Sequence, residues 1–288
     1  MRSVECRASN GTGDDKDSTT KTIYMALYSL HRAHTTLSAL QHKPEWSLSD
    51  TASFDCMHYD GDAALDHLAT KLNLMQGQHI LDIGSGFSAT GRVLCSKYGV
   101  EVTGVELQKE VHDLARLITV RNEDEKVREG VSSVRADFLS IKEEELGTLG
   151  FNHVVSLLCI MHLPQGSRGT MFKRAARYLK PDGKIYVEDF YQKNPLTEDD
   201  QSKLRNVVAC SYLPEIKGYI QDVEAAGFVN VEFDDVSKHW THLLVERARS
   251  YKAEQKRDTE LELFYDTVAE LFKRGNVGGV RLTAKLRC

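Results

Sequence analysis

Between His79 and Gly91 the chain reads HILDIGSGFSATG: an apolar run that contains one acid, Asp82, and breaks into Gly84-Ser85-Gly86. Glycine at both positions lets the backbone approach a ligand with no Cβ in the way. A helix starting near Phe87 then turns its electropositive N-terminus toward whatever lies over the turn. A second apolar run, Val102–Val105, ends in Glu106, twenty positions after Gly86. In a nucleotide-binding βαβ unit, a carboxylate at that spacing accepts hydrogen bonds from ribose hydroxyls. The chemistry on offer is the binding of a nucleoside-bearing ligand.

Two ligands compete for this unit. Gly84–Ala89 formally satisfies G-x-G-x-x-G/A, which would suit a nicotinamide dinucleotide. Asp82 argues against a pyrophosphate and for a cation, such as the ammonium group of S-adenosylmethionine. The same pattern then recurs downstream. A run Ser133–Ala136 ends in Asp137-Phe138, a carboxylate for an adenine amino group followed by an apolar wall. His153–Leu158 leads into Met161-His162-Leu163-Pro164, and Leu179–Lys184 makes a helix end and tight turn before a strand over Ile185–Asp189.

With these four ordered blocks, the chain resembles the class I S-adenosylmethionine-dependent methyltransferases from about Leu72 to Asp189, and in topology to its C-terminus. The resemblance implies an α/β, Rossmann-like fold. It comprises a seven-stranded, mostly parallel sheet with an antiparallel closing strand, helices on both faces and a helical lid. It implies S-adenosylmethionine as cofactor, leaving as S-adenosylhomocysteine, with Asp82, Gly84, Gly86, Glu106, Leu107, Asp137 and Phe138 as its binding residues. The segment Ser156-Leu157-Leu158-Cys159 departs from the block that follows this strand in nucleic-acid base methyltransferases.

The elements that must position these residues follow from periodicity. Residues 1–20 are polar and glycine-containing and read as a disordered tail. Residues 21–75 read as an N-terminal helical cap, with helices over Thr22–Gln41 and from Asp60 or Asp62 to Leu72, joined by a loop after Pro44. Residues 76–288 form the methyltransferase domain, with helices over Ser88–Lys97, Lys109–Arg121 and Gly166–Leu179. An insertion at 191–215 carries a helix capped near Thr197. Ile216–Ala226 is helical, Asn230–Phe233 is a strand, and 239–273 is one long charged helical insertion before a last strand, Val280–Leu286. The two insertions and the cap are read as a lid enclosing a small substrate.

Methyl transfer from a sulfonium is an in-line displacement that needs alignment and, for an amine or oxygen nucleophile, a base. His162, beyond the fourth strand, is the candidate base. Tyr59, Tyr191, Tyr212 and Trp240 lie in segments expected to close over it and form a candidate cage for a methylated ammonium, together with Phe190. The runs Ile160–Leu163 and Ser237–Leu244 resemble those of small-amine methyltransferases, the phosphoethanolamine and the glycine, sarcosine and dimethylglycine enzymes. That resemblance implies Tyr59 as the histidine's partner and an amine or amino acid as acceptor. The phosphoethanolamine enzymes hold phosphate with basic side chains around the first insertion, but Val207–Ser211 offers no arginine. The alternative on this scaffold is O-, S- or C-methylation of a small metabolite; a nicotinamide oxidoreductase or a non-catalytic cofactor binder is disfavoured.

Composition narrows the partners. The chain has 42 acidic and 37 basic residues, a net charge of −5 and no basic run, so a nucleic-acid substrate is not expected. No stretch reaches the roughly 20 apolar residues that span a bilayer, and residues 1–20 lack the apolar core of a secretory signal. Six scattered cysteines without a C-x-x-C read as free thiols in the cytoplasm. His239 and His242 stand three apart with no completing ligand, so no metal site is expected. The sequence carries no signal for oligomeric state.

Overall fold

The computed structural model describes residues 30–55, 58–146 and 150–287. The expected tail, the first turns of the first helix, and Cys6, Cys56 and Cys288 lie outside them. Seven strands form one sheet: β1 His79–Ile83, β2 Glu101–Glu106, β3 Val131–Arg135, β4 Phe151–Leu157, β5 Leu179–Gln192, β6 Phe228–Asp235 and β7 Val277–Leu286. Their spatial order is β3-β2-β1-β4-β5-β7-β6. β1 to β5 run parallel, and β7 is inserted antiparallel between β5 and β6. The apolar runs read from sequence are the strands buried on both faces: Ile80, Leu81 and Ile83, and Val154 and Val155, are 3% exposed or less.

The helices before the sheet are α1 Leu30–Ala39, α2 Leu48–Asp55 and α3 Asp62–Leu72. Those between or after its strands are α4 Ala89–Tyr98, α5 Lys109–Val120, α6 Glu125–Gly130, α7 Arg168–Tyr178, α8 Glu198–Asn206, α9 Ile216–Ala225, α10 Ser237–Lys252 and α11 Thr259–Arg274. Four differences from the sequence expectation have local causes. The segment after Pro44 is not all loop: α2 forms there, with Asp50 accepting from the Ser47 backbone. The cap of α3 is Gly61 with no side-chain bond, because Asp60 is engaged elsewhere. The 239–273 stretch is two helices, since Asp258 accepts from the backbones of Glu260 and Leu261 and starts α11 afresh. β5 extends from Leu179 through the Pro181–Gly183 turn, where Asp182 has φ +65°, to Gln192. At α8, Thr197 and Asp200 form a reciprocal capping box.

The cap is tied to the sheet domain by a buried ion pair. The Arg92 guanidinium on α4 is fully buried and donates to Asp55 at the end of α2 and to Thr119 Oγ1 at 3.1 Å. Thr51 Oγ1 donates to the same Asp55 oxygen at 3.0 Å. Removing one partner strands a buried charge, so Arg92→Met alone is expected to cost about 3–5 kcal/mol in urea unfolding. The double variant Asp55→Leu/Arg92→Met, which strands nothing, should recover most of that loss. Equal destabilisation of single and double variants would show that packing rather than charge holds the junction.

Candidate active site

In an open α/β sheet the crevice lies at the C-terminal ends of the strands, where the strand order reverses; here that is between β1 and β4. A cavity of about 640 Å³ occupies this place, a volume suited to a nucleoside cofactor and a small partner. Its floor is the turn after β1. Gly84 and Gly86 have φ of +74° and +54°. A Cβ on Gly84 would stand 2.1 Å from Cys159 Sγ, so the loops after β1 and β4 touch only because the residue is glycine.

Glu106 ends β2 beside this turn and is 3% exposed. Its carboxylate accepts from the backbone N–H of Gly86 at 3.0 Å and of Gln108 at 2.8 Å. Burial raises its pKa against those hydrogen bonds. Asp82, also 3% exposed, is pushed up to about 7, first by burial and then by the neighbouring Glu106 charge. Asp137 follows β3 and accepts from Leu139 N at 2.9 Å, and Phe138 stands beside it. Leu107 is 59% exposed and lines the cavity with them.

At the other end, the chain leaves β4 into a short 3-10 turn, Ile160–His162. The turn is pinned by Asp189, which accepts from Met161 N at 3.2 Å and from Tyr219 Oη at 2.8 Å. His162 Nδ1 donates to the Ala209 carbonyl at 3.2 Å, so in the neutral ring the lone pair is on Nε2. Burial lowers the His162 pKa and favours that neutral form. Tyr59 lines the same lobe with its ring under the Arg247 guanidinium, 5.0 Å from centroid to Cζ. Burial raises its phenol well above the ordinary value, so it stays protonated.

The structure therefore gathers nine of the sequence-selected residues around one cavity: Asp82, Gly84, Gly86, Glu106, Leu107, Asp137 and Phe138 at one end, Tyr59 and His162 at the other. It does not bring Tyr191, Tyr212 or Trp240 to the cavity lining. Trp240 is fully buried and lies against Gly279 of β7, where a Cβ would approach its ring to 2.1 Å. Tyr191 packs edge-on to Phe233 at 5.2 Å, and Tyr212, 40% exposed, stands under Arg168. Phe190 is buried among Tyr59, Trp240 and Phe272. His239 pairs with Asp60, and no group of three metal-ligating side chains occurs among the described residues.

Several lining residues had not been singled out from sequence. Arg247, Tyr251 and Tyr265 come from the α10–α11 hairpin, Asp55 and His58 from the cap, and Arg32 from α1. Arg32 donates to the Ser53 carbonyl at 3.0 Å and lies over the Tyr251 ring at 5.9 Å. A usable signal existed: Trp240, Arg247 and Tyr251 recur at helical spacing, so one face of α10 is shared.

Comparison with known proteins bears on the family and the fold. The family profile described as mycolic acid cyclopropane synthetase matches residues 47–275. Phosphoethanolamine N-methyltransferase of Plasmodium falciparum is 25% identical over 204 residues, covering 71% of this chain and 73% of that protein. Phosphoethanolamine N-methyltransferase 2 of Caenorhabditis elegans is 27% identical over 170 residues, 59% of this chain but only 37% of that longer protein. Haemonchus contortus phosphoethanolamine N-methyltransferase 2, solved with phosphomonomethylethanolamine and S-adenosylhomocysteine, superposes with a TM-score of 0.71 at 20% identity. The match covers 81% of this chain and 55% of that one. The chain belongs to the mycolic acid cyclopropane synthetase family, a class I S-adenosylmethionine-dependent methyltransferase lineage.

Proposed function

We propose that the protein transfers a methyl group from S-adenosylmethionine to the nitrogen of a small amine that carries an acidic group. The observation that carries this reading is one cavity lined both by Asp82, Glu106 and Asp137 at the strand ends and by His162, aromatic rings and the guanidiniums of Arg32 and Arg247. Glu106 takes the ribose hydroxyls, Asp137 and Phe138 take the adenine, and Asp82 attracts the ammonium group of the cofactor. Gly84 and Gly86 let the backbone approach, and Leu107 covers the nucleoside. His162 Nε2 removes or orients the amine proton, and Tyr59 walls the acceptor beside it. The described part of the cap (residues 30–55 and 58–75) and the insertions at 191–215 and 239–273 close over both ligands, in keeping with a reaction that must exclude water.

Arg32 and Arg247 make no ion pair with a carboxylate among the described residues, and each is stacked on a cavity tyrosine. A guanidinium in that state suits a carboxylate or phosphate on the acceptor. Relatives that methylate phosphoethanolamine support this class. No described helix is long and apolar enough to cross a membrane; a cytoplasmic location belongs to the proposal.

The deciding experiment is a methylation screen with labelled S-adenosylmethionine over phosphoethanolamine, glycine, sarcosine, simple alkylamines and phenols. Turnover of the acidic amines and none of the phenols is expected; methylation of phenols alone would move the assignment to O-methyl transfer. Arg247→Met should raise KM for the acidic amine by about 10- to 100-fold, the worth of a charge-assisted hydrogen bond. The variant's kcat should change little, since the anion is held equally in ground and transition states.

Cofactor affinity should depend on pH. Asp82 is half-protonated at about 7 without ligand, and a cation beside it favours the carboxylate. Binding therefore releases a proton below that pH, and affinity for S-adenosylhomocysteine rises as pH climbs toward it and then levels. Calorimetry in buffers of differing ionisation enthalpy reads the proton directly. No proton release on the acid side would remove Asp82 from the ammonium contact.

A further inference from the structure

The chain enters α3 through Asp60 and Gly61, both in the left-handed region with φ of +64° and +51°. Glycine adopts that conformation readily; an aspartate held there needs something to offset the strain. The offset is visible. The Asp60 carboxylate, 13% exposed, accepts from Arg281 of β7 at 2.8 Å and from His239 Nε2 of α10 at 2.7 Å. Arg281 is itself fixed: its Nε donates to Glu188 of β5 at 2.8 Å, and Tyr186 Oη donates to the same fully buried oxygen's carboxylate at 2.9 Å. Arg281 and Glu188 are also register partners in the sheet. The Asp60 carboxylate is thus anchored in the rigid part of the molecule.

The neighbours of these residues are also in contact. Tyr59 precedes Asp60, Trp240 follows His239, and their rings meet edge-on at 4.8 Å. The cap segment and α10 are therefore joined twice in adjacent positions, once by a hydrogen bond and once by rings. We infer that Asp60 is a positioning residue: clamped by Arg281 and His239, it fixes the Tyr59 ring in the cavity wall and locks it to α10. α10 also carries Arg247, whose guanidinium lies over the Tyr59 ring at 5.0 Å. The two walls of the acceptor lobe are then set by one carboxylate that does not line the cavity. The clamp stands on its own geometry; its effect on the acceptor rests on the function proposed above.

The chain has two tryptophans, so Trp46→Phe leaves Trp240 as the sole emitter and a reporter on Tyr59. In that background Asp60→Asn should red-shift the emission and raise acrylamide quenching by roughly twofold or more, with the fold retained by circular dichroism. In a Tyr59→Ala background the same substitution should add clearly less, because only the His239 link to Trp240 remains. His239→Ala, at an exposed position, should move the emission the same way by less, and decides the matter if Asp60→Asn does not fold. Methyl transfer to phosphoethanolamine or sarcosine should lose about 10- to 100-fold in kcat/KM in Asp60→Asn, with S-adenosylhomocysteine affinity unchanged. Unaltered emission in folded Asp60→Asn and His239→Ala, or a full additional shift in the Tyr59→Ala background, overturns the inference. Absence of turnover of either amine by the parent protein counts against the amine reading, and the fluorescence result still decides the clamp.

Discussion

Replacing His162 with alanine is expected to lower kcat for methyl transfer by about 10²- to 10⁴-fold, the usual share of a general base. Affinity for S-adenosylhomocysteine should stay within roughly twofold of the parent, since the ring belongs to the acceptor end of the cavity. The sign of the pH dependence follows from burial. The His162 pKa lies below its ordinary value of 6.5 because charging the ring in the interior is unfavourable. The base-competent form therefore prevails above that lowered pKa, and the rate falls only as pH drops through it. The alanine variant should lose this acid limb along with its rate, which stopped assays over the folded pH range will read. His162→Gln, which retains a donor to the Ala209 carbonyl, separates orientation from proton removal: a rate near the parent's would make the ring an orienting group. Near-parental turnover in His162→Ala, with the limb intact, would sink its role as base.

The second large effect is at the glycine turn. Gly84→Val is expected to weaken S-adenosylhomocysteine binding by about 2–6 kcal/mol, combining overpacking with a β-branched residue at positive φ. The obstruction lies within the protein: the new Cβ would meet Cys159 Sγ at 2.1 Å and Cys159 Cβ at 2.6 Å, and φ at this position is +74°. The two causes can be separated. Cys159→Gly removes both clashing atoms, so in a Gly84→Ala background it should restore part of the binding and leave the conformational part. Glu106→Ala, which removes the proposed ribose contact together with the acceptor for Gly86 N but adds no clash, should cost less, about 1.5–3 kcal/mol. Calorimetry on folded variants ranks the three, and full binding by Gly84→Val would mean that the loop after β4 can move aside at little cost.

The part of the cavity at the ends of β1, β2 and β3 was legible in sequence because its determinants are local. A buried parallel strand is a short apolar run, a close backbone approach needs glycine, and an acid at a strand end stays near that end whatever packs elsewhere. Asp82, Gly84, Gly86, Glu106, Asp137 and Phe138 therefore fall where periodicity put them. The acceptor end was only partly legible. His162 follows from its strand, and Tyr59 from the resemblance. Trp240, however, was selected as a rare aromatic heading a helix, and rarity carries no information about which side of that helix faces the sheet.

Which side faces inward was decided by tertiary contacts. Gly279 of β7, 39 positions after Trp240, leaves room on its strand, and the Trp240 ring fills it. That rotation carries Arg247 and Tyr251, farther along α10, to the cavity. Asp258 caps α11 and folds the insertion back, bringing Phe264 and Tyr265 beside them. Asp60, expected with Asp62 as one of two alternative starts of α3, spends its carboxylate on Arg281, a partner 221 positions away. By itself the sequence determined the strands, the glycine turn and the acids at the ends of β1, β2 and β3, because each is fixed by interactions within successive βαβ units. The rest of the cavity lining, beyond His162 and Tyr59, was decided by the tertiary structure, because it depends on how helices distant in the chain rotate to bury a few large rings and pair a few buried charges.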